Sequence, residues 1–243
     1  MWWSNLFVDM SPASFFNFSF LPKYGSFFLQ GVEYTLLLAV VSVLLAVIPA
    51  LLLALMRLSR NRFVKCLSGA YIALFRSTPL LVQLSIIYFG LFGAITIPRV
   101  TILGFVDISR FIPGVVALAL NSSAYVAEIF RAGILAVDKG QTEAARSLGL
   151  SSWQSMRMVV LPQAIKNVLP ALANEIVTMV KESSICSMLG MAELMFVAKT
   201  VCSSTYISLA PYTLAALIYF CINYPASKAI EAIERRMRRG DKQ

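Results

Sequence analysis

The 243-residue chain has a formal charge of +9, yet only 14% of its residues are charged, 58% are hydrophobic and its mean hydropathy is +0.76. A soluble domain is about half apolar and about a quarter charged, so this balance excludes an ordinary water-soluble globule and describes an integral membrane protein. Histidine is absent and the four cysteines (Cys66, Cys186, Cys202, Cys221) lack Cys-x-x-Cys spacing, which argues against zinc, a disulfide framework and histidine-based catalysis; the cysteines read as small core residues.

In chain order, residues 1–29 interleave Trp2, Trp3, Phe15, Phe16, Phe18 and Phe20 with Asp9, Asn17, Ser19 and Lys23. No apolar run here is preceded by positive charge and followed by a cleavage site, so no removable signal peptide is expected. The segment reads as external, either lying at the bilayer surface or forming an unstructured tail. A membrane domain over 30–230 follows, with about five spans of about 20 residues each. They are placed at 30–56, 66–92, 112–135, 171–190 and 205–229, and a basic tail at 231–243 closes the chain. The fold class is an all-α membrane protein.

The second span holds Arg76 three residues before Pro79, which interrupts the segment and can set the arginine at a cavity or a subunit contact. In the third, Asn121, Tyr125 and Glu128 recur on one helical face; in the fourth, Glu175, Thr178 and Glu182 do the same. Ionisable groups inside a membrane are expensive unless paired or facing water, so each of these residues is a candidate for the pathway or gate. Glu175 is the leading candidate. For Asn121 and Tyr125 an interhelical hydrogen bond is an equal alternative. Glu128 and Arg131 lie near a helix end and read as interfacial. Lys181 and Glu182 are adjacent and cannot face each other on a regular helix; they pair with other spans, mark a break, or leave Lys181 to snorkel outward.

Between the third and fourth spans, residues 136–170 are long for a connection and describe two short helices. Asp138 with Gln141 can cap the first in capping-box fashion, Ala144, Ala145 and Leu148 form its apolar face, and Gly149 can end it in the left-handed conformation. Ser151 with Gln154 can start the second, which carries Trp153, Met156, Val159 and Val160 to an expected stop at Pro162. The result is a knuckle with a small-residue face that another protein could approach closely, or an amphipathic hairpin resting on lipid.

Lys and Arg set the orientation. Arg57, Arg60, Arg62 and Lys65, then Arg131, Lys139, Arg146, Arg157 and Lys166, then Lys228, Arg235, Arg236, Arg238, Arg239 and Lys242 fall on one side; only Lys23, Arg99, Arg110 and Lys199 fall on the other. The crowded side is cytoplasmic, so the N-terminus is expected outside and the C-terminus inside. Anionic headgroups account for the basic charge, and no nucleic-acid partner is expected. No internal repeat pairs the spans, so a pathway belongs between two chains rather than between halves of one.

Glu143-Ala144-Ala145, Gly149 and Leu161-Pro162 resemble the EAA loop of permease subunits of bacterial ATP-binding cassette importers, with Val159 where isoleucine is usual. The segments 75–84, 120–129, 181–184 and 190–194 resemble the polar amino acid subfamily serving histidine, arginine, glutamine, glutamate and opines. Ser77 replaces an expected glycine and Glu182 an expected aspartate, and the likeness runs from about Gly31 to Glu231. It implies a type I importer-like bundle with a cytoplasmic coupling hairpin, in the bacterial inner membrane. Two permease subunits, identical or homologous, would form the pathway; separate cytoplasmic ATPases would grip the loop; an external binding protein would deliver the amino acid. The coupling residues would be Glu143, Ala144, Ala145, Gly149, Leu161 and Pro162. The chain has no GxxxxGK[ST] loop, so it is expected not to be an enzyme and to carry no cofactor, with ATP and magnesium on the partner. No metal ligands and no catalytic residues are expected. The alternative is a channel or pore-forming subunit that needs no ATPase, although no filter-like repeat is seen. The acidic stripe points to a cationic amino acid such as arginine or histidine.

Overall fold

The computed structural model describes residues 16–239, helical apart from one short hairpin and its connections. The expectations for Trp2, Trp3, Asp9 and Phe15, and for the end of the tail at Lys242, lie outside the described residues.

Helix α1 (Leu21–Leu58) carries Pro22 in its first turn, where a missing N–H is tolerated, and ends at the extended Ser59. It begins well before the expected start at Gln30, so part of the presumed external segment is continuous with the span. Ala39, Val43, Ala46, Ala50 and Ala54 recur at three- and four-residue spacing and are all buried, while Leu44, Ile48, Leu52 and Leu55 face outward. The small stripe packs on α4 (Ile108–Leu135), whose Ala117, Ala124 and Ala127 are buried beside it. Lipid tails are as apolar as leucine, so such helices associate through close backbone approach and interhelical hydrogen bonds. One such bond runs from Ser68 Oγ to the Leu53 carbonyl at 2.8 Å.

The second span is bent, as its proline predicts. α2 (Arg62–Ser77) is capped by Asn61, whose Oδ1 accepts from Phe63 N at 2.9 Å. Pro79 forces Thr78 into the extended region (φ −110°, ψ 147°) and caps α3 (Leu80–Ser85), which continues as a π-helical stretch over Ile86–Leu91. The two arms meet at 106°. Beyond them, β1 (Thr101–Ile102) and β2 (Val106–Asp107) pair antiparallel around Leu103 and Gly104, both at positive φ (55° and 77°). This hairpin departs from the all-α reading.

α5 (Lys139–Ser147) and α6 (Ser152–Ser155) form the expected knuckle. Pro162 corrects the reading of the second helix. A π-helical turn over Met156–Val160 carries the chain straight into α7 (Leu161–Glu182), with Pro162 in the first turn. There a proline starts a helix as readily as it stops one, because the first-turn N–H groups lack intrahelical acceptors. A 3₁₀ stretch over Ser183–Leu189 ends at Gly190 (φ 73°); after a 46° bend α8 (Leu194–Thr205) follows as a helix the sequence reading did not separate from the connection. α9 (Ala210–Arg239) starts at Ala210 rather than Thr205.

Among the described residues, α1 and α4 are long and apolar enough to cross a membrane, and up to four crossings result if each bent pair counts as one. The cysteine expectation holds for Cys186, which is buried, and fails for Cys66 and Cys221, which are exposed.

Candidate functional site

The cytoplasmic knuckle is built by caps. Asp138 Oδ1 accepts from Gly140 N at 2.7 Å, but Gln141 does not close the expected reciprocal box; its Oε1 accepts instead from Gln163 Nε2 of α7 at 3.3 Å. The second box does form. Ser151 Oγ accepts from Gln154 N and Gln154 Oε1 accepts from Ser151 N at 2.8 Å. Between them Gly149 is left-handed at φ 86°, and Leu150 N reaches the Ala145 carbonyl at 3.2 Å. Arg146 Nη1 closes the corner by donating to the Leu150 carbonyl and to Ser152 Oγ.

The predicted apolar face divides in two. Ala145 is buried within the knuckle, whereas Glu143 and Ala144 are exposed. Leu148 is 84% exposed and Trp153 70%, one on each side of Gly149. Leu161 is exposed at the start of α7. A Cβ built on Gly149 meets nothing within 4 Å, so only its backbone conformation requires glycine. The knuckle thus offers an apolar pair, a free carboxylate and an open corner to whatever approaches it.

A second arrangement lies between the end of α1, α2 and α4. Arg76, Tyr125 and Glu128, three of the pathway candidates, line one polar cavity of about 470 Å³ with Arg57, Gly69 and Ser77. The Arg76 guanidinium stands over the Tyr125 ring, 5.4 Å from its centroid. Glu128 Oε2 accepts from Arg131 (2.7 Å to Nη2) and its other oxygen lies 3.8 Å from Arg57 Nε. Arg57 reaches it across Gly69, where a Cβ would stand 3.0 Å from Nη1. From the sequence alone Arg57 belongs to a basic loop flank. Its signal was a glycine facing it on the next helix, visible only once α1 and α2 are paired.

The other candidates do not join this cavity. Asn121 is buried and donates to Gln83 Oε1 at 2.8 Å; Gln83 Nε2 in turn donates to the Phe75 and Thr78 carbonyls at 2.8 and 2.9 Å and to Thr78 Oγ1 at 2.8 Å. This clasp satisfies carbonyls freed by the Pro79 break, and Asn121 holds it from α4. Glu175 accepts from Ser122 Oγ at 2.8 Å, joining α7 to α4. Thr178 and Glu182 are half-buried further along α7, and Lys181 is exposed. No ion pair joins Lys181 to Glu182 among the described residues.

Glu193 carries no signal of its own in the sequence beyond its place in the 190–194 segment. It is fully buried: its carboxylate accepts from Met195 N, Phe196 N and Tyr219 OH at 2.7 to 2.9 Å. Leu194 N donates to Thr35 Oγ1, and Arg110 donates to the Gly190 carbonyl, so the bend before α8 is held from α1, α4 and α9 at once. A carboxylate one residue before an apolar helix is the available signal; its burial is a tertiary fact.

The family described as binding-protein-dependent transport system inner membrane component matches residues 42–239. The chain is 41% identical over 218 residues to a putative glutamine transport system permease protein of Rickettsia felis, covering 90% of this chain and 95% of that one. It is 41% identical to the arginine transport system permease protein of Bacillus subtilis (88% and 94% covered) and 38% identical to the nopaline transport system permease protein of Agrobacterium fabrum (85% and 86%). The crystal structure of an amino acid ABC transporter with histidines superposes with a TM-score of 0.81 at 46% identity, over 90% of this chain and 98% of that one. An inward-facing methionine ABC transporter shares the fold, with a TM-score of 0.64 at 18% identity.

Proposed function

The chain belongs to the binding-protein-dependent transport system inner membrane components, as a multi-pass permease subunit of an importer for polar amino acids, and from that premise we propose how its parts divide the work. The knuckle of α5 and α6 receives force from a separate ATPase, and the cavity around Arg76 and Glu128 belongs to the pathway. Leu148, Trp153 and Glu143 enter a groove of the ATPase, with Gly149 at the corner and Leu161-Pro162 passing the displacement into α7. The single observation that carries this reading is the exposed Leu148 and Trp153 pair, rigidly capped around Gly149, on the basic side of the bundle. Large apolar groups held out to water on a stiff support are typical of an interface core.

The finer topology is five spans: α1, the bent α2 and α3, α4, α7 with α8, and α9. The N-terminus is outside, and a second permease, identical or homologous, completes the pathway. The Arg57–Glu128 pair supports this by placing the C-terminal parts of α1 and α4 at one level, the side where the basic connections gather.

In the cavity, Arg76 offers a planar guanidinium to an α-carboxylate and Glu128 a carboxylate to an α-ammonium. Glu175, Thr178, Glu182 and Lys181 stand further along the route. ATP and its magnesium act on the partner chain, and this subunit supplies no catalytic group. Co-reconstitution tests the reading. Uptake into vesicles is expected only when this chain, its ATPase and its binding protein are all present; uptake by this chain alone, without ATP, contradicts it.

A further inference from the structure

A second cavity, about 340 Å³, opens at the other end of the bundle between α1, the β-hairpin and α8. Tyr24 and Phe27, Phe105, and Phe196 and Val201 form its walls, while Gln30 and Thr200 are its polar members. α1 and α8 run antiparallel here, since Leu194 N bonds to Thr35 Oγ1 and Gly31 lies against Val197 and Leu194. The slot therefore deepens from Tyr24 towards Gln30, roughly 9 Å along α1.

Cations stand beside it. The Lys23 ammonium lies 5.2 Å from the Tyr24 ring centroid, at the water side of the slot, and Lys199, exposed on α8 just after Phe196, stands about level with Leu29, roughly 9 Å further in along α1. Both lysines are exposed, and neither is paired with a carboxylate among the described residues. Asp107, the carboxylate nearest the hairpin, is taken by Ser109 and Arg110, and Glu33 on α1 does not line the slot. Lys23 at the rim, and Lys199 on a flexible stem that can reach up towards it, stand beside an apolar slot as a phosphate above an acyl chain requires.

We propose that this cavity binds one anionic phospholipid of the outer leaflet, with an acyl chain between Phe27, Phe105 and Phe196 and the phosphate held by Lys23 and Lys199. The leaflet assignment rests on the outward N-terminus proposed above; the binding itself does not. Each lysine near an anionic headgroup strengthens attraction about fivefold, so the pair supplies roughly 25-fold preference over a zwitterionic lipid with the same chains.

Native mass spectrometry of the full-length chain tests this with phosphatidylglycerol and phosphatidylethanolamine. One phosphatidylglycerol per chain is expected to be retained at least tenfold more tightly than phosphatidylethanolamine, as a conservative bound on that preference. K23Q/K199Q, which alters only exposed side chains, is expected to abolish the preference, and T200W to weaken retention of both lipids by filling the slot. A photoreactive benzoylphenylalanine at Phe27 is expected to give a lipid-mass adduct. Equal retention of the two lipids, an undiminished preference in K23Q/K199Q, or an adduct at Phe27 with a peptide instead of a lipid overturns the proposal. Retention is read without transport, so loss of ATP-driven uptake leaves this result standing, and the two readings fail separately.

Discussion

The bend at Pro79 and the knuckle at Gly149 are both helical corners, yet they handle unsatisfied groups in opposite ways. At Pro79 freed carbonyls are met from within: Gln83 donates to Phe75 and Thr78 and is itself held by Asn121. At Gly149 the backbone is equally well capped, but the large apolar side chains of Leu148 and Trp153 are turned out. Inside a bilayer an unmet polar group is the expensive fault, so the first corner is closed by hydrogen bonds. In water an exposed apolar pair is the anomaly, and the proposed ATPase contact would cover it.

The contrast can be broken first at the inner corner. Gln83→Leu removes the bonds to the Phe75 and Thr78 carbonyls and the one accepted from Asn121, and is expected to destabilise the chain by about 3 kcal/mol, at about 1 kcal/mol per bond. Thermal unfolding in detergent measures this, and an unchanged midpoint would show that the clasp is dispensable. At the outer corner the stability effect should nearly vanish and a binding effect take its place. Trp153→Ala is expected to cost about 2 kcal/mol of ATPase docking, roughly 30-fold in affinity, with stability changed by less than about 0.5 kcal/mol. Docking in a pull-down titration at wild-type strength would remove Trp153 from the interface.

Between these lies Ser151→Ala, which breaks one capping box and is expected to cost about 1 kcal/mol locally. Hydrogen exchange over α6 should rise while the bundle stays protected. The smallest structural effect is expected from Glu175→Gln, which keeps an acceptor for Ser122 Oγ. It should alter uptake affinity or rate and leave ATPase docking unchanged; unaltered uptake would return Glu175 to a purely structural role.

Much of the outer corner was legible in the sequence because its signals are local. Ser151 with Gln154 is a cap read three residues apart, and Gly149 is the residue a left-handed corner demands. Pro79 announced the inner break for the same reason. The clasp that repairs it was not legible, since Gln83 and Asn121 meet only after two spans pack. Pro162 misled because a proline marks the first turn of a helix as well as its end, and only the π-helical turn before it shows which applies. Arg57 and Glu193 were missed because each acquires its meaning from a partner on another helix.

Gly149→Trp bears most directly on the claim that the knuckle transmits force. No neighbour crowds the position, so the folding cost is limited to about 1–2 kcal/mol for a side chain at positive φ. The measurement is ATP-driven amino acid uptake by the reconstituted variant, beside its insertion and folding yield. The expected result is a chain that inserts and folds nearly as the wild type does but imports nothing; import at the wild-type rate would contradict it.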